Sequence, residues 1–153
     1  MADLKLETID PVQVAYIELR GPYENFGRGL MDLVSWLERK RVRVAGPPIG
    51  LYYDNPTETP PEKLRAEACV PIYGDVRPEG PYKVKVLSGG LVAVTAHTGP
   101  PQEYTKTYGT FLEGILKSGY SFREPAREIY DTPAATLGPG MGKQIQQRVE
   151  KRG

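Results

Sequence analysis

The chain repeats itself at a fixed interval. The dipeptide Gly21-Pro22 recurs as Gly99-Pro100, an offset of 78 residues. Apolar positions with the spacing of one helix face repeat at the same offset: Phe26, Leu30, Leu33 and Leu37 correspond to Tyr104, Tyr108, Phe111 and Ile115. Steps of four, three and four residues are typical of a helix that packs on a sheet. A duplicated unit is therefore the strongest constraint on the fold.

Each unit is predicted to read strand, helix, strand, strand. The first unit covers about residues 4–73, with strands at 12–20, 49–54 and 64–73 and a helix at 24–40. The second unit covers about residues 82–150, with strands at 82–87, 91–98, 127–131 and 143–150 and a helix at 102–118. Proline and glycine mark the breaks between these elements, and residues 74–81 form a linker.

This pattern predicts one α+β domain over residues 1–153. A single unit has one helix and covers only one face of its sheet. Two units related by a pseudo-twofold axis would form an antiparallel sheet with two helices and a central groove. Grooves between repeated units are common sites for small ligands.

Composition excludes several functional classes. The net charge is +1, so no basic excess indicates a nucleic-acid partner. One cysteine, Cys69, excludes an internal disulfide and a zinc-finger framework, and one histidine, His97, leaves no His cluster for a catalytic metal; no metal and no cofactor is expected. No apolar segment approaches the roughly 20 residues that span a bilayer, and the N-terminus lacks a signal peptide. A cytoplasmic protein without membrane contact is expected.

Strand alternation indicates a candidate binding site. Gly50 and Tyr52 share one face of their strand, and Glu128 and Tyr130 share the equivalent face of theirs. We expect the opposite faces, which carry Ile49, Leu51 and Ile129, to pack on the helices. The face with Gly50, Tyr52, Glu128 and Tyr130 would then line the groove. A carboxylate among tyrosines attracts cationic or amine-bearing apolar molecules. The alternative is a surface glutamate paired with Arg123 or Arg127.

Two further aromatic residues are candidates for the same groove. Trp36 lies one position off the apolar helix stripe, which fits either the edge of the core or the groove wall. Tyr16 fits either a strand core position or the groove wall. Cys69 is expected to be a buried thiol, and His97 to be hydrogen-bonded or exposed to solvent.

Four segments resemble a known family. The segments are VAYIELRGPY at 14–23, GLYYDNP at 50–56, EKLR at 62–65 and REIY at 127–130. In order and spacing they resemble GyrI-like small-molecule-binding domains, which are also the effector-binding domains of AraC-type and MerR-type multidrug-responsive regulators. The resemblance covers Leu4 to about Val149. It implies a duplicated strand-helix-strand-strand fold and places the family's ligand-binding glutamate at Glu128.

Three functional hypotheses follow. The first is a stand-alone binding protein for small hydrophobic or cationic molecules, with a site of Glu128, Tyr130, Tyr52, Tyr16 and Trp36. The second, implied by the resemblance, is a hydrolase of cyclopropane-bearing genotoxic electrophiles that uses Glu128 and Tyr52 or Tyr130. The third is a protein-interaction module, such as a modulator of DNA gyrase. No helix-turn-helix precedes the domain, so direct nucleic-acid binding is not expected, and the oligomeric state is left open.

Overall fold

The computed structural model describes residues 4–123 and 125–153, which form two helices and ten strands. The helices are α1 (Phe26–Arg39) and α2 (Tyr104–Lys117). The strands are β1 (Lys5–Ile9), β2 (Val12–Arg20), β3 (Ile49–Tyr52), β4 (Arg65–Pro71), β5 (Tyr82–Leu87), β6 (Gly90–Thr95), β7 (Tyr120–Ser121), β8 (Ala126–Ile129), β9 (Gln144–Arg148) and β10 (Glu150–Lys151). Strands β7 and β10 pair with each other, and the other eight form one curled antiparallel sheet.

The order of the eight strands reads the same way from both ends of the sheet. The order is β1-β6-β9-β8-β3-β4-β2-β5, so each strand of one repeat mirrors its equivalent in the other about the central β3–β8 pair. The register agrees with this symmetry, because Lys5 pairs with Val94 and the residues at the repeat offset, Lys83 and Tyr16, also pair. The predicted pseudo-twofold fold of duplicated units is confirmed.

The two repeats exchange their first strands. Strand β1 belongs to the first repeat but pairs with β6 of the second, whereas β5 of the second repeat pairs with β2 of the first. Sequence analysis predicted a strand at 82–87, where β5 lies, but did not predict β1. The exchange joins both repeats in one continuous sheet.

Each helix begins after the same turn. Gly21 and Gly99 have φ values of +121° and +114°, a region that only glycine adopts readily. Short 3₁₀ turns, Tyr23–Asn25 and Pro101–Glu103, follow them. These turns take up the first residues of the predicted helices, which explains why α1 and α2 begin two residues later than predicted.

The helices cover the sheet face opposite to the one that we predicted. Helix α1 packs against Ala15, Ala66 and Ala68, and the same cluster includes Tyr52 and Tyr130. The side chains that were expected beneath the helices instead cluster on the other face of the curled sheet: Ile49, Leu51 and Ile129 with Val14, Cys69 and Leu87. Small alanine side chains let a helix approach the sheet closely, and the larger aliphatic residues fill the other side.

Candidate functional site

A cavity of about 1070 Å³ opens on the helix-bearing side of the sheet. Its wall is formed by the 3₁₀ turn before α1, the ends of β3 and β4, the first half of α2 and the loop at 136–141. Six aromatic residues line it: Tyr23, Tyr52, Tyr53, Tyr104, Tyr108 and Phe122. This size and composition are typical of small-molecule sites.

A chain of three side chains leads from the cavity wall into the protein. Tyr52 lines the cavity, and its hydroxyl lies 2.6 Å from the hydroxyl of Tyr130. The Tyr130 hydroxyl donates to Oε1 of Glu128 at 2.6 Å. Both Tyr130 and Glu128 are fully buried and lie behind the cavity wall. Glu128 is therefore neither exposed at the groove nor the solvated surface glutamate of the alternative reading.

Backbone amides complete the environment of Glu128. Gly140 N–H lies 3.1 Å from both carboxylate oxygens, and Gly142 N–H donates to Oε2 at 3.2 Å. These glycines belong to the loop at 136–142, which covers the carboxylate and separates it from the cavity. Burial raises the pKa of Glu128, while the hydrogen bonds from Tyr130, Gly142 and Gly140 oppose that rise.

The tyrosines of the site are neutral phenols. Burial raises the pKa of Tyr52 and of Tyr130 well above the usual tyrosine value, and the nearby Glu128 carboxylate adds to both shifts. Burial also raises the pKa of Tyr108 to about 12. In the ionised form of Glu128, the carboxylate is the negative charge among these three side chains, and the phenols supply hydrogen bonds and aromatic faces.

Gly50 makes room for the two central tyrosines. It pairs directly with Glu128 across β3 and β8. A Cβ atom at Gly50 would lie 2.9 Å from the Tyr52 ring and 3.1 Å from the rings of Phe26 and Tyr130. The 2.9 Å contact is shorter than real Cβ atoms show and the 3.1 Å contacts are tighter than most, so a side chain at this position would displace the rings, and glycine leaves Tyr52 and Tyr130 the space to meet.

The structure places Tyr16 and Trp36 away from the cavity wall. Tyr16 lies on the other face of the sheet, where Lys85 Nζ is 4.3 Å from its ring centroid. Trp36 is fully buried in the α1 cluster and stacks on Tyr82 with 4.9 Å between the ring centroids. For both residues the sequence analysis had left open a core position or the groove wall, and both lie in core clusters.

Sequence analysis missed five aromatic wall residues: Tyr23, Tyr53, Phe122, Tyr104 and Tyr108. The last two were interpreted as core positions because they occupy the apolar stripe of α2. A signal was present, since α1 has Phe26 and Leu30 at the equivalent positions and both are fully buried. Tyrosines in α2 at positions where α1 has residues without a hydroxyl indicate that a polar cavity lies beneath α2 and not beneath α1.

The two other residues considered in the sequence analysis, His97 and Cys69, are both buried in the fold. His97 is buried, with ring nitrogens 2.7 Å from Thr107 Oγ1 and 2.8 Å from the Pro100 carbonyl oxygen. Cys69 is buried, and burial raises its pKa to about 12. Within residues 4–123 and 125–153, no group of three or more His, Cys, Asp or Glu side chains is arranged to hold a metal ion. No helix in the same ranges is long and apolar enough to cross a membrane.

The fold and the cavity together define a duplicated α+β domain of the kind that binds small molecules. The chain belongs to the family of GyrI-like small molecule binding domains, whose family model matches residues 2–143. It is 32% identical over 123 residues to a DNA gyrase inhibitor of Escherichia coli (strain K12), an alignment that covers 76% of this chain and 78% of that protein.

Solved structures share the fold at lower identity. EcmrR in a complex with DNA matches with a TM-score of 0.76 and 18% identity over 97% of this chain, which spans 57% of the EcmrR chain. SAV2435 bound to tetraphenylphosphonium matches with a TM-score of 0.57 and 13% identity, covering 97% of this chain and 94% of that one. At these identities the likeness concerns the fold alone.

Proposed function

We propose that this protein binds small, largely apolar molecules, including cationic ones, in the tyrosine-lined cavity. One observation carries the proposal: a phenol at the cavity wall, that of Tyr52, is linked through Tyr130 to a fully buried carboxylate. A negative charge held in a low-dielectric interior acts over a longer distance than one in water. The aromatic faces of the wall add cation–π attraction of about 0.5–2 kcal/mol each.

Glu128 would act as a fixed charge behind the wall. The Tyr130 hydroxyl and the Gly140 and Gly142 amides stabilise its ionised form, and these donors do not have to leave when a ligand enters. Tyr130 and Tyr52 remain part of the proposed site as the link to the cavity. Tyr16 and Trp36 have no role in this proposal, because neither lines the cavity.

Calorimetric titration with tetraphenylphosphonium tests the proposal. This cation is the ligand in the SAV2435 structure, which has the same fold, and the cavity volume accommodates a molecule of that class. We expect binding to the native protein and about tenfold weaker binding to Glu128→Gln, which corresponds to about 1.4 kcal/mol. Glu79→Gln is the control, because Glu79 is an exposed carboxylate that pairs with Lys40. Equal affinity of Glu128→Gln and the native protein would remove Glu128 from the site.

The hydrolase hypothesis is a second candidate that uses the same residues. Its support is the coupling of a carboxylate of raised pKa to two phenols, an arrangement that can donate or accept a proton. Catalysis would require the loop at 136–142 to move, because Glu128 is covered by it. Mass spectrometry after incubation with a cyclopropane-bearing alkylator tests this hypothesis, and the absence of product at equimolar enzyme would dismiss it.

A protein partner is a third candidate, supported by the DNA gyrase inhibitor of Escherichia coli as a relative at 32% identity. Supercoiling assays with purified gyrase test it directly. Inhibition at equimolar protein that persists in Glu128→Gln would indicate a contact surface independent of the cavity. No effect on supercoiling at a large excess of protein would rule out this partner.

A further inference from the structure

The hydrogen bonds of the Glu128–Tyr130–Tyr52 chain have a fixed direction. An ionised carboxylate only accepts hydrogen bonds, so the Tyr130 hydroxyl proton is directed to Glu128. Because a phenol has a single proton, Tyr130 cannot also donate to Tyr52. The 2.6 Å contact between the two hydroxyls therefore has Tyr52 as its donor. The Gly138 carbonyl oxygen, 3.1 Å from the Tyr130 hydroxyl, shares the same proton in a weaker contact.

This direction determines what Tyr52 can offer to a ligand. The single proton of Tyr52 is committed to Tyr130, so its oxygen has only acceptor capacity left for the cavity. Hydrogen bonds in a chain polarise one another, and this chain ends on a carboxylate, so the Tyr52 oxygen is a stronger acceptor than an ordinary phenol. The charge of Glu128 therefore acts at the cavity wall by making Tyr52 Oη a stronger hydrogen-bond acceptor.

Two other hydroxyls of the wall, those of Tyr23 and Tyr108, are placed differently. Tyr23 is held in the fold, since its single hydroxyl proton is shared between the carbonyl oxygens of Asp54 and Arg65 and its oxygen accepts from Asp54 N–H. Tyr108 donates to the neutral amide oxygen of Gln147. The carboxylate of Asp54 is engaged by Arg65 at 2.9 Å. Among these groups, only Tyr52 is linked by hydrogen bonds to a buried charge.

We propose that Tyr52 Oη is the polar contact for the ligand and that the cavity selects cations bearing an N–H group over cations without one. Protonated amines and amidines can donate to this oxygen, whereas quaternary ammonium and phosphonium ions cannot. This inference rests on the proposed binding function and specifies its ligand class. Tyr52 is then a specificity-determining residue, and Glu128 acts through it.

Two dyes of one scaffold test the selectivity. Acridine orange is protonated at its ring nitrogen at neutral pH and carries an N–H there, whereas 10-methyl acridine orange carries a methyl group at the same atom with the same charge. Fluorescence anisotropy gives both dissociation constants for the native protein, Tyr52→Phe and the control Tyr73→Phe. Tyr73 is exposed and does not line the cavity. Circular dichroism verifies that each variant is folded.

We expect the native protein and Tyr73→Phe to bind acridine orange about tenfold or more tightly than the methylated dye, the usual range for a hydrogen bond to a charged group. In Tyr52→Phe the ratio should fall close to one, since the acceptor is gone. Equal binding of the two dyes by the native protein overturns the inference while leaving cation binding intact. A ratio that persists in Tyr52→Phe also overturns it, because the methyl group would then act by size. No binding of either dye would overturn this inference and count against the proposed function as well.

Discussion

Gly50 and Glu128 lie directly opposite each other on β3 and β8 and occupy equivalent positions in the two repeats. The pseudo-twofold axis therefore passes between them. Tyr52 and Tyr130 are likewise equivalent, and their hydroxyls meet near this axis at 2.6 Å. The site thus combines a symmetric pair of phenols with a carboxylate that is present on one side only.

Gly50→Ala should destabilise the protein through steric overlap. The new methyl group would lie 2.9 Å from a Tyr52 ring carbon and 3.1 Å from ring carbons of Phe26 and Tyr130, and these packed rings have little room to move. Overpacking of this kind costs about 1–3 kcal/mol in the free energy of unfolding. Urea denaturation measures it. The control is Gly114→Ala in α2, where no atom lies within 4 Å of the new Cβ and stability should stay equal or rise.

Gly142→Ala should displace the loop that covers Glu128. Its Cβ would lie 2.4 Å from Glu128 Cγ and 2.7 Å from the Ile129 carbonyl oxygen, so the backbone must move. We expect a loss of about 1–3 kcal/mol in stability and faster hydrogen exchange at the Gly140 amide, which donates to Glu128 in the native protein. Gly138→Ala is the matched control in the same loop, because its nearest neighbour would be Tyr23 O at 3.6 Å. Unchanged exchange in Gly142→Ala would show that the loop is not held by this contact.

The stability of the native protein relative to Glu128→Gln should depend on pH. Burial raises the pKa of Glu128 above its ordinary value of 4.5, so the folded state binds the proton more tightly than the unfolded state. The stabilisation from this proton is fully present below pH 4.5 and is lost as the pH rises through the folded pKa. The difference in unfolding free energy, native minus Glu128→Gln, should accordingly fall over that range.

The other carboxylates do not obscure this measurement. The pKa values of Glu18, Asp54 and Glu79 are lowered by hydrogen bonds from basic partners, so their contributions are lost at lower pH and occur equally in both proteins. Urea denaturation at intervals between pH 4 and about pH 8 provides the comparison. A difference in unfolding free energy that stays flat or rises with pH would show that burial does not dominate the pKa shift of Glu128.

The strand exchange predicts that a mutation in β1 weakens the opposite repeat. Leu6 is half-buried against the α2 cluster, and its repeat equivalent Val84 packs against the α1 cluster. Leu6→Ala and Val84→Ala should each cost about 1–2 kcal/mol, less than a fully buried position. Hydrogen exchange should accelerate in β6 for Leu6→Ala and in β2 for Val84→Ala. The reverse assignment would mean that each strand supports its own repeat in solution.

The fold was largely predictable because the repeat can be read directly from the sequence. Glycine at the equivalent turns and the matching helix stripes are visible in the chain, and together they determine the units and their symmetry. The exchange of β1 and β5 was not predictable in this way. Which strand pairs with which sheet edge is decided by long-range register, and the alternating segment Lys5–Ile9 fits either β2 or β6 equally well.

The site was predictable only in part. Strand alternation correctly groups Gly50, Tyr52, Glu128 and Tyr130 on one face, since this depends only on the two-residue period of a strand. Which face the helices cover depends on the size of side chains from several strands, and that expectation was wrong. The loop amides on Glu128 could not be foreseen, because glycine-rich segments carry no side-chain pattern that fixes their path.

The position of Glu128 on the pseudo-twofold axis has a consequence for how such a site can arise. In a dimer of two identical units, this residue would face its own copy across β3 and β8 with about 5 Å between Cβ atoms. Two buried carboxylates so close repel each other, and one of them would have to hold a proton. Joining both units in one chain lets the second position become glycine, so a two-sided scaffold can carry a single acid with no second carboxylate facing it.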